Sequence, residues 1–380
     1  MKVNKMKVTL PSGDLVLNVE STEIHIDELC GFACRQNPKR GFLFVSKILG
    51  KHYPVKPSIM KKSYEILSEK VRNKVKTKEP MLFLGFAETA TGLGAGLFES
   101  WNNENKQESL YLHTTRYEFE KEVLFRFHEE HSHATAHIVY KPDNDFNLGK
   151  YKTLVLIDDE MTTGKTAMNF IEKFIKLDGC SINKIIVVCL KNWMSESACE
   201  LFKKSLPSCD VEFIHILKGN YEFIKNENYV CTEMPKVDSN GVKKDFLIDR
   251  NYGRFGLGNI PKYNFDSILS GVTGKKILVL GTGEFSYFPY KIAEFLENNG
   301  IDVVYQSTTR SPILLGGIIT EKIEFKDNYG ENISNFVYNV SKEKYDEILI
   351  CYETNEKFNF DLDKKINAKN IFFKDLELIE

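Results

Sequence analysis

The sequence predicts an α/β protein of two unequal domains, each built on a doubly wound parallel sheet. Three observations predict it. Short apolar runs, LVLI at 154–157 and the ILVL within KILVLG at 276–281, each lead through a turn into a helix with one apolar face. Strands buried on both faces read this way, and their alternation with helices makes parallel sheets. The pattern lapses over residues 233–272, where Gly, Asn, Asp and Pro cluster, and then restarts. The chain has 380 residues, more than one core of roughly 100–200 residues holds. The expected division is residues 1–232, an ordered connector at 233–272, and residues 273–380.

Composition narrows the class. With 42% hydrophobic and 27% charged residues the chain falls outside the disordered, collagenous and coiled-coil classes. Lys and Arg number 51 against 53 Asp and Glu, so the net charge of −2 does not suit a general nucleic-acid partner. The basic–aromatic interleaving of single-strand binders is also missing. No apolar run reaches the ~20 residues of a membrane span. The opening MKVNKMKVTLPSGDLVLNVE alternates like strands and lacks a signal peptide's apolar block, so a cytoplasmic protein is expected. Eight cysteines are scattered, some within apolar runs, as reduced thiols are. Cys30 and Cys34 form a lone C-x3-C pair, short of the four ligands of a zinc site.

Two alternating strands open the chain. Met60, Tyr64, Leu67 and Val71 then keep helical spacing behind Pro57-Ser58, which suits a helix start. Strands follow at 81–85, 110–113 and 137–140. Next comes LVLI, with Ala167, Phe170, Ile171 and Phe174 striping the helix behind it, then strands at 185–190 and 211–217. In the second domain KILVLG precedes a helix carrying Phe288, Ile292, Phe295 and Leu296, with Gly300 as its C′ residue. Strands at 302–306 and 347–352 complete the pattern.

The most informative stretch is LVLIDDEMTTGKT at 154–166. A Walker loop would need Gly where Asp159 stands. Instead two carboxylates, Asp158 and Asp159, end a strand and face the crevice where open sheets bind ligands. Adjacent carboxylates suit a sugar diol or a hydrated metal. The turn beyond them offers hydroxyls and backbone N–H groups at a helix N-terminus, a natural phosphate site. A diol and a phosphate on one loop describe a ribose 5-phosphate.

That stretch resembles the phosphoribosyl pyrophosphate (PRPP) signature of the type I phosphoribosyltransferases along its whole length. The resemblance implies a phosphoribosyltransferase-type parallel sheet domain followed by a smaller, Rossmann-like α/β domain. It places Asp158 and Asp159 on the ribose hydroxyls, and Thr162, Thr163, Gly164, Lys165 and Thr166 around the 5-phosphate. It implies Mg²⁺ bound mainly through PRPP, with Asp158 or Asp159 as protein ligand, and a homodimer. FLGFAETATGLG looks like the pyrophosphate loop, with Ala87, Glu88, Thr89, Ala90 and Thr91 around the leaving group. HTTRYEFEKEVLFRFHEEHSHATAH looks like the mobile loop, with Arg116, His131 and His133 as its cationic or proton-donating groups. A metal site at Glu129, Glu130, His131 and His133 is the weaker reading, because the spacing is not that of a zincin. Purine-type members carry an acidic residue where this chain has Thr162, which favours an orotate-transferase-like site and leaves His131, His133 or Glu160 as base.

Other segments carry less. Lys47 and Lys51, at i and i+4, would share a helix face and could meet an anionic acceptor. Trp193 and Tyr221 suit either a stacked base or the core. VLGTGEFSYFP resembles a dinucleotide turn, but Ser286 and Gln306 stand where the fingerprint needs a third small residue and an acid. Thr309, Arg310 and Ser311 end a strand as an anion cradle would. With Pro312 they spell the tetrapeptide of the TRSP domain, a companion of divergent phosphoribosyltransferases in tellurium-resistance gene clusters. Arg250 and Arg254 in DRNYGRFGLG could serve either site. The expected activity is Mg-dependent transfer between PRPP and a base-like or small acceptor, or the reverse, beside a second small-ligand or anion-binding domain. The competing reading is a PRPP- or nucleotide-sensing regulator without catalysis.

Overall fold

A computed structural model of the chain describes residues 5–35, 37, 40–76, 78–128, 136–142, 146–230, 243–358 and 360–379. Antiparallel β1 (Met6–Leu10) and β2 (Gly13–Thr22) lead through the short α1 (Ile26–Leu29) into a hairpin of β3 (Cys30–Cys34) and β4 (Phe42–Ser46). Helix α2 (Pro57–Lys74) buries Met60, Tyr64, Leu67 and Val71, as their spacing predicts. Ser58 does not cap it. Glu297, more than 200 residues away in sequence, accepts from the Ser58 backbone N–H at 2.7 Å and from its hydroxyl at 2.8 Å.

The central elements follow as β5 (Met81–Gly85), α3 (Thr91–Glu104), β6 (Ser109–His113) and the hairpin β7 (Val123–His128) with β8 (Ala136–Tyr140). After these come β9 (Thr153–Ile157), the two-residue β10 (Glu160–Met161), α4 (Lys165–Phe174), β11 (Lys184–Asn192), α5 (Glu196–Lys204) and β12 (Asp210–Lys225). The sheet runs β1-β2-β12-β11-β9-β5-β6, and its five strands from β12 to β6 are parallel. The C-terminal ends of β5, β6 and β9 therefore lie side by side.

The free edge of β6 is closed by the segment between the domains. Tyr111 and Leu257 exchange backbone hydrogen bonds of 2.9 and 2.8 Å, and His113 N donates to Gly253 O at 3.0 Å. Gly253 has φ +115, and a Cβ there would sit 2.7 Å from the His113 ring. An uncovered edge is a template for mispairing, so the residues around Gly253 guard the sheet as well as link it.

The second sheet is parallel, in the order β14-β13-β17-β18. Its elements are α6 (Asp266–Gly271), β13 (Lys276–Gly281), α7 (Tyr287–Asn298), β14 (Asp302–Ser307), the hairpin β15 (Lys322–Lys326) with β16 (Ser334–Tyr338), β17 (Glu347–Tyr352), α8 (Leu362–Lys365) and β18 (Lys369–Phe372). Phe288, Ile292 and Leu296 are buried on α7, and Gly300 takes φ +83 beyond its end. One apolar core spans both sheets: Tyr64 of α2 packs edge-on against Tyr290 of α7 at 5.6 Å. No helix among the described residues is long and apolar enough to cross a membrane.

Candidate functional site

Strand β9 delivers Asp158 and Asp159 to the C-terminal edge of the first sheet. Strand β11 holds their backbone: Asp158 N donates to Val188 O at 3.0 Å, and Leu190 N donates to Asp159 O at 3.2 Å. Asp159 N also donates to the Asp158 carboxylate at 2.9 Å. Burial pushes the Asp159 carboxyl above its usual value, and Lys191 offsets this only in part. Thr162 and Thr163 form the turn, and Gly164 closes it with φ +73, a left-handed conformation that glycine adopts without strain. Helix α4 starts at the next residue, so its free N–H groups face the turn.

A second loop, between β5 and α3, lies alongside. Its Ala87–Glu88 peptide is cis. Ala87 N donates to Thr114 Oγ1 at 2.8 Å, which meets His137 Nδ1 at 2.9 Å, and Arg116 Nη2 donates to Ala87 O at 3.3 Å. The Glu88 carboxylate pairs with Lys51 at 2.6 Å. Burial alone would raise its pKa, but Lys51, then Arg310 and Arg116, more than offset that and hold it below the ordinary value.

Both loops open on one cavity of about 590 Å³. Asp158, Asp159 and Glu160 line it, with Thr162 to Thr166 at one end and Ala87, Glu88, Thr89 and Arg116 at another. The second domain supplies a further wall, Thr309 to Pro312. Ala90 and Thr91 are not on the lining; Thr91 Oγ1 turns away to Glu284 O at 3.1 Å and the Ser286 hydroxyl at 2.9 Å. His131 and His133 lie outside the described residues.

Several expectations need correcting. Lys47 and Lys51 do not share a helix, because residues 47–53 form bends and Gly50 takes φ +66. Lys47 donates to Asp27 O at 2.6 Å, while Lys51 is buried between Glu88 and Gly283 O, 2.9 Å away. Arg250 is spent on the carbonyls of Phe373, Lys374 and Leu376. Arg254 is buried in ion pairs with Glu284 and Glu353. None of these four cations lines the cavity. Glu160 does line it, but Arg40 and Lys191 both bind its carboxylate. They outweigh burial and lower its pKa, so its carboxylate is tied to two cations.

The hairpin β3–β4 supplies what the sequence reading missed: Arg35, Asn37, Arg40 and Phe44 face the cavity, with His52 just beyond. Phe44 stacks on Trp193 at 4.7 Å and meets Tyr221 edge-on at 5.3 Å, so Trp193 and Tyr221 back the wall rather than form it. Burial drives His52 down to about 3, so its ring is neutral, and its Nε2 has no hydrogen-bond partner among the described residues. The basic stretch around Arg40 was a visible signal, but spacing within it pointed to the wrong members.

Comparison with known proteins bears on the same residues. Residues 29–220 match the family described as phosphoribosyl transferase, and residues 253–364 match the TRSP domain that lies C-terminal to it. Among solved structures the chain is similar to adenine phosphoribosyltransferase from Trypanosoma brucei, at 12% identity over 56% of this chain and 87% of that one, with a TM-score of 0.37. It is also similar to the enzyme from Leishmania donovani, at 17% identity over 59% and 90%, TM-score 0.35. A third is that from Thermoanaerobacter pseudethanolicus, at 17% over 48% and 94%, TM-score 0.31. No curated protein matches. The match from the β3–β4 hairpin to β12 takes in the acidic strand end and the Thr162–Thr166 turn: the chain belongs to the phosphoribosyl transferase family and carries the TRSP domain behind it.

Proposed function

We propose that the protein transfers a phosphoribosyl group between PRPP and a base-like or small acceptor, in either direction, with Mg²⁺. The observation that carries this reading is convergence. The paired carboxylates, the N-terminus of α4, the cis-peptide loop and Arg116 all open on one cavity, of a size that suits a substrate and an acceptor together.

Each group has a task. Asp158 and Asp159 accept hydrogen bonds from the ribose hydroxyls. The Thr162–Thr166 turn takes the 5-phosphate on hydroxyls and backbone N–H groups. As the bond from C1 to the diphosphate oxygen breaks, negative charge collects on the leaving group, where Arg116 donates. The new bond forms from an acceptor atom to C1. Phe44 offers the acceptor a flat apolar face and His52 Nε2 a single polar handle. The donor set suits magnesium, a hard cation that binds oxygen. Among the described residues no three acidic, His or Cys side chains gather to hold an ion unaided, so Asp158 or Asp159 would share it with PRPP oxygens. Bound there, it supplies charge neutralisation of the leaving diphosphate.

The test is thermal unfolding with and without Mg²⁺-PRPP. At 100-fold over Kd, binding adds about 2.7 kcal/mol to the native state, an upward shift of several degrees. The shift should require Mg²⁺ and vanish in Asp159→Asn. No shift in the wild-type protein at millimolar PRPP overturns the reading.

A further inference from the structure

Open parallel sheets take their ligands at the C-terminal ends of the strands, where the strand order reverses. In the second domain that point lies between β13 and β17. It is already filled. Arg254 occupies it, bonded to Glu284 after β13 and to Glu353 after β17. The second domain therefore has no free crevice of its own at that point. The next loop along the same edge, after β14, emerges into the cavity of the first domain instead, and Arg310 is on it.

Arg310 is built to hold a fixed attitude. Its Nη2 donates to the Tyr117 hydroxyl at 3.1 Å and to Glu331 at 2.6 Å, and its guanidinium lies over the Tyr117 ring at 5.2 Å. Its Nε and Nη1 make no hydrogen bond among the described residues. A guanidinium pinned along one edge, with the other edge facing a cavity, is pre-organised for phosphate oxygens. Lys51, Arg310 and Arg116 all act on the Glu88 carboxylate, so Arg310 stands within the field of the Ala87–Thr89 loop. We propose that the second domain is a working wall of the phosphoribosyl site, in which Arg310 binds the diphosphate of PRPP and of released pyrophosphate.

This rests on the transfer reading above and adds the residue that grips the leaving group. The same guanidinium chemistry would also suit an anion on the acceptor, since the loop runs on to Ile313, which bridges to Arg35. Calorimetric titration of the full chain separates the two. Mg²⁺-pyrophosphate, Mg²⁺-PRPP and ribose 5-phosphate are titrated into wild type, Arg310→Gln and Arg310→Lys. Arg310→Gln should weaken pyrophosphate and PRPP by about tenfold or more and leave ribose 5-phosphate within about twofold. Arg310→Lys keeps the charge opposite Glu331 and should lose part of that affinity, and it decides the matter should Arg310→Gln not fold. Unchanged pyrophosphate and PRPP binding in the variants overturns the proposal, which leaves the loop to the acceptor. So does an equal loss for all three ligands. A wild-type chain that binds none of them overturns the transfer reading as well.

Discussion

The guanidinium of Arg254 meets the carboxylate of Glu353 in two parallel hydrogen bonds of 2.6 and 2.8 Å, and both side chains are buried. Arg254 Nε also reaches Glu284 at 3.3 Å, and Tyr329 donates to Glu353 at 2.8 Å. Glu284 in turn accepts from the Thr115 hydroxyl at 2.6 Å and from Arg116 N at 2.8 Å. One side chain of the connecting segment thus ties the strand ends of the second domain to the cavity rim of the first. Removing one member leaves an uncompensated buried charge. Arg254→Met or Glu353→Gln should lower stability by about 3–5 kcal/mol in urea unfolding. The double variant should lose much less than the sum, because the two changes share one interaction.

Glu160 gives a sharper contrast between anchor and base. Lys191 is fully buried, its ammonium 3.2 Å from Glu160 and 3.3 Å from Phe44 O. Glu160→Gln takes away its counter-charge and should cost about 3 kcal/mol. The pH profile of pyrophosphate release should keep its shape in that variant. Disappearance of one limb, with stability unchanged, would assign Glu160 the role of base instead.

Helices α2 and α3 touch through a missing side chain. A Cβ on Gly96 would stand 2.4 Å from the Tyr64 ring, which is itself buried against Tyr290. Alanine favours a helix interior by about 1 kcal/mol over glycine. Here overpacking of about 1–3 kcal/mol should exceed that gain. Gly96→Ala should therefore melt below the wild type, and a higher melting temperature would refute the close contact.

Acid stability should be set by histidines before carboxylates. Burial holds His113 and His215 down at about 4 and His52 at about 3. The unfolded chain takes up those protons near pH 6.5 while the native protein does not. Stability is thus complete above pH 6.5 and falls as the pH drops towards 4, by up to about 1.4 kcal/mol per pH unit for each such histidine. Glu88 and Glu160 are held below their ordinary values, so their contribution fades only at lower pH. Urea midpoints measured between pH 7.5 and 5 should decline steadily, and a flat profile would contradict the burial of these rings.

The parts of the site that could be read from the sequence are those contiguous in the chain. Strand β9, the acidic pair, the turn and α4 form one local unit whose apolar pattern and turn chemistry agree. The missed parts depend on distant pairing. Arg40 meets Glu160 across 120 positions, and no local period marks such a partner. The Lys47–Lys51 spacing did suggest a helix. Gly50 defeats it: the chain turns there, and a Cβ would come within 2.6 Å of the Tyr305 ring from the other domain. Thr309, Arg310 and Ser311 could be singled out at a strand end, but not the cavity they face, because the contact between the two sheets decides that.

Glu353 follows Arg254 by 99 positions. During synthesis the cation is therefore made well before its counter-charge exists, and the nascent first sheet has its acidic strand end and the turn behind it but neither Glu284 on its rim nor Arg310 on its wall. The cavity gains its last wall only once residues 309–312 exist, so a complete cavity requires both domains to have been translated.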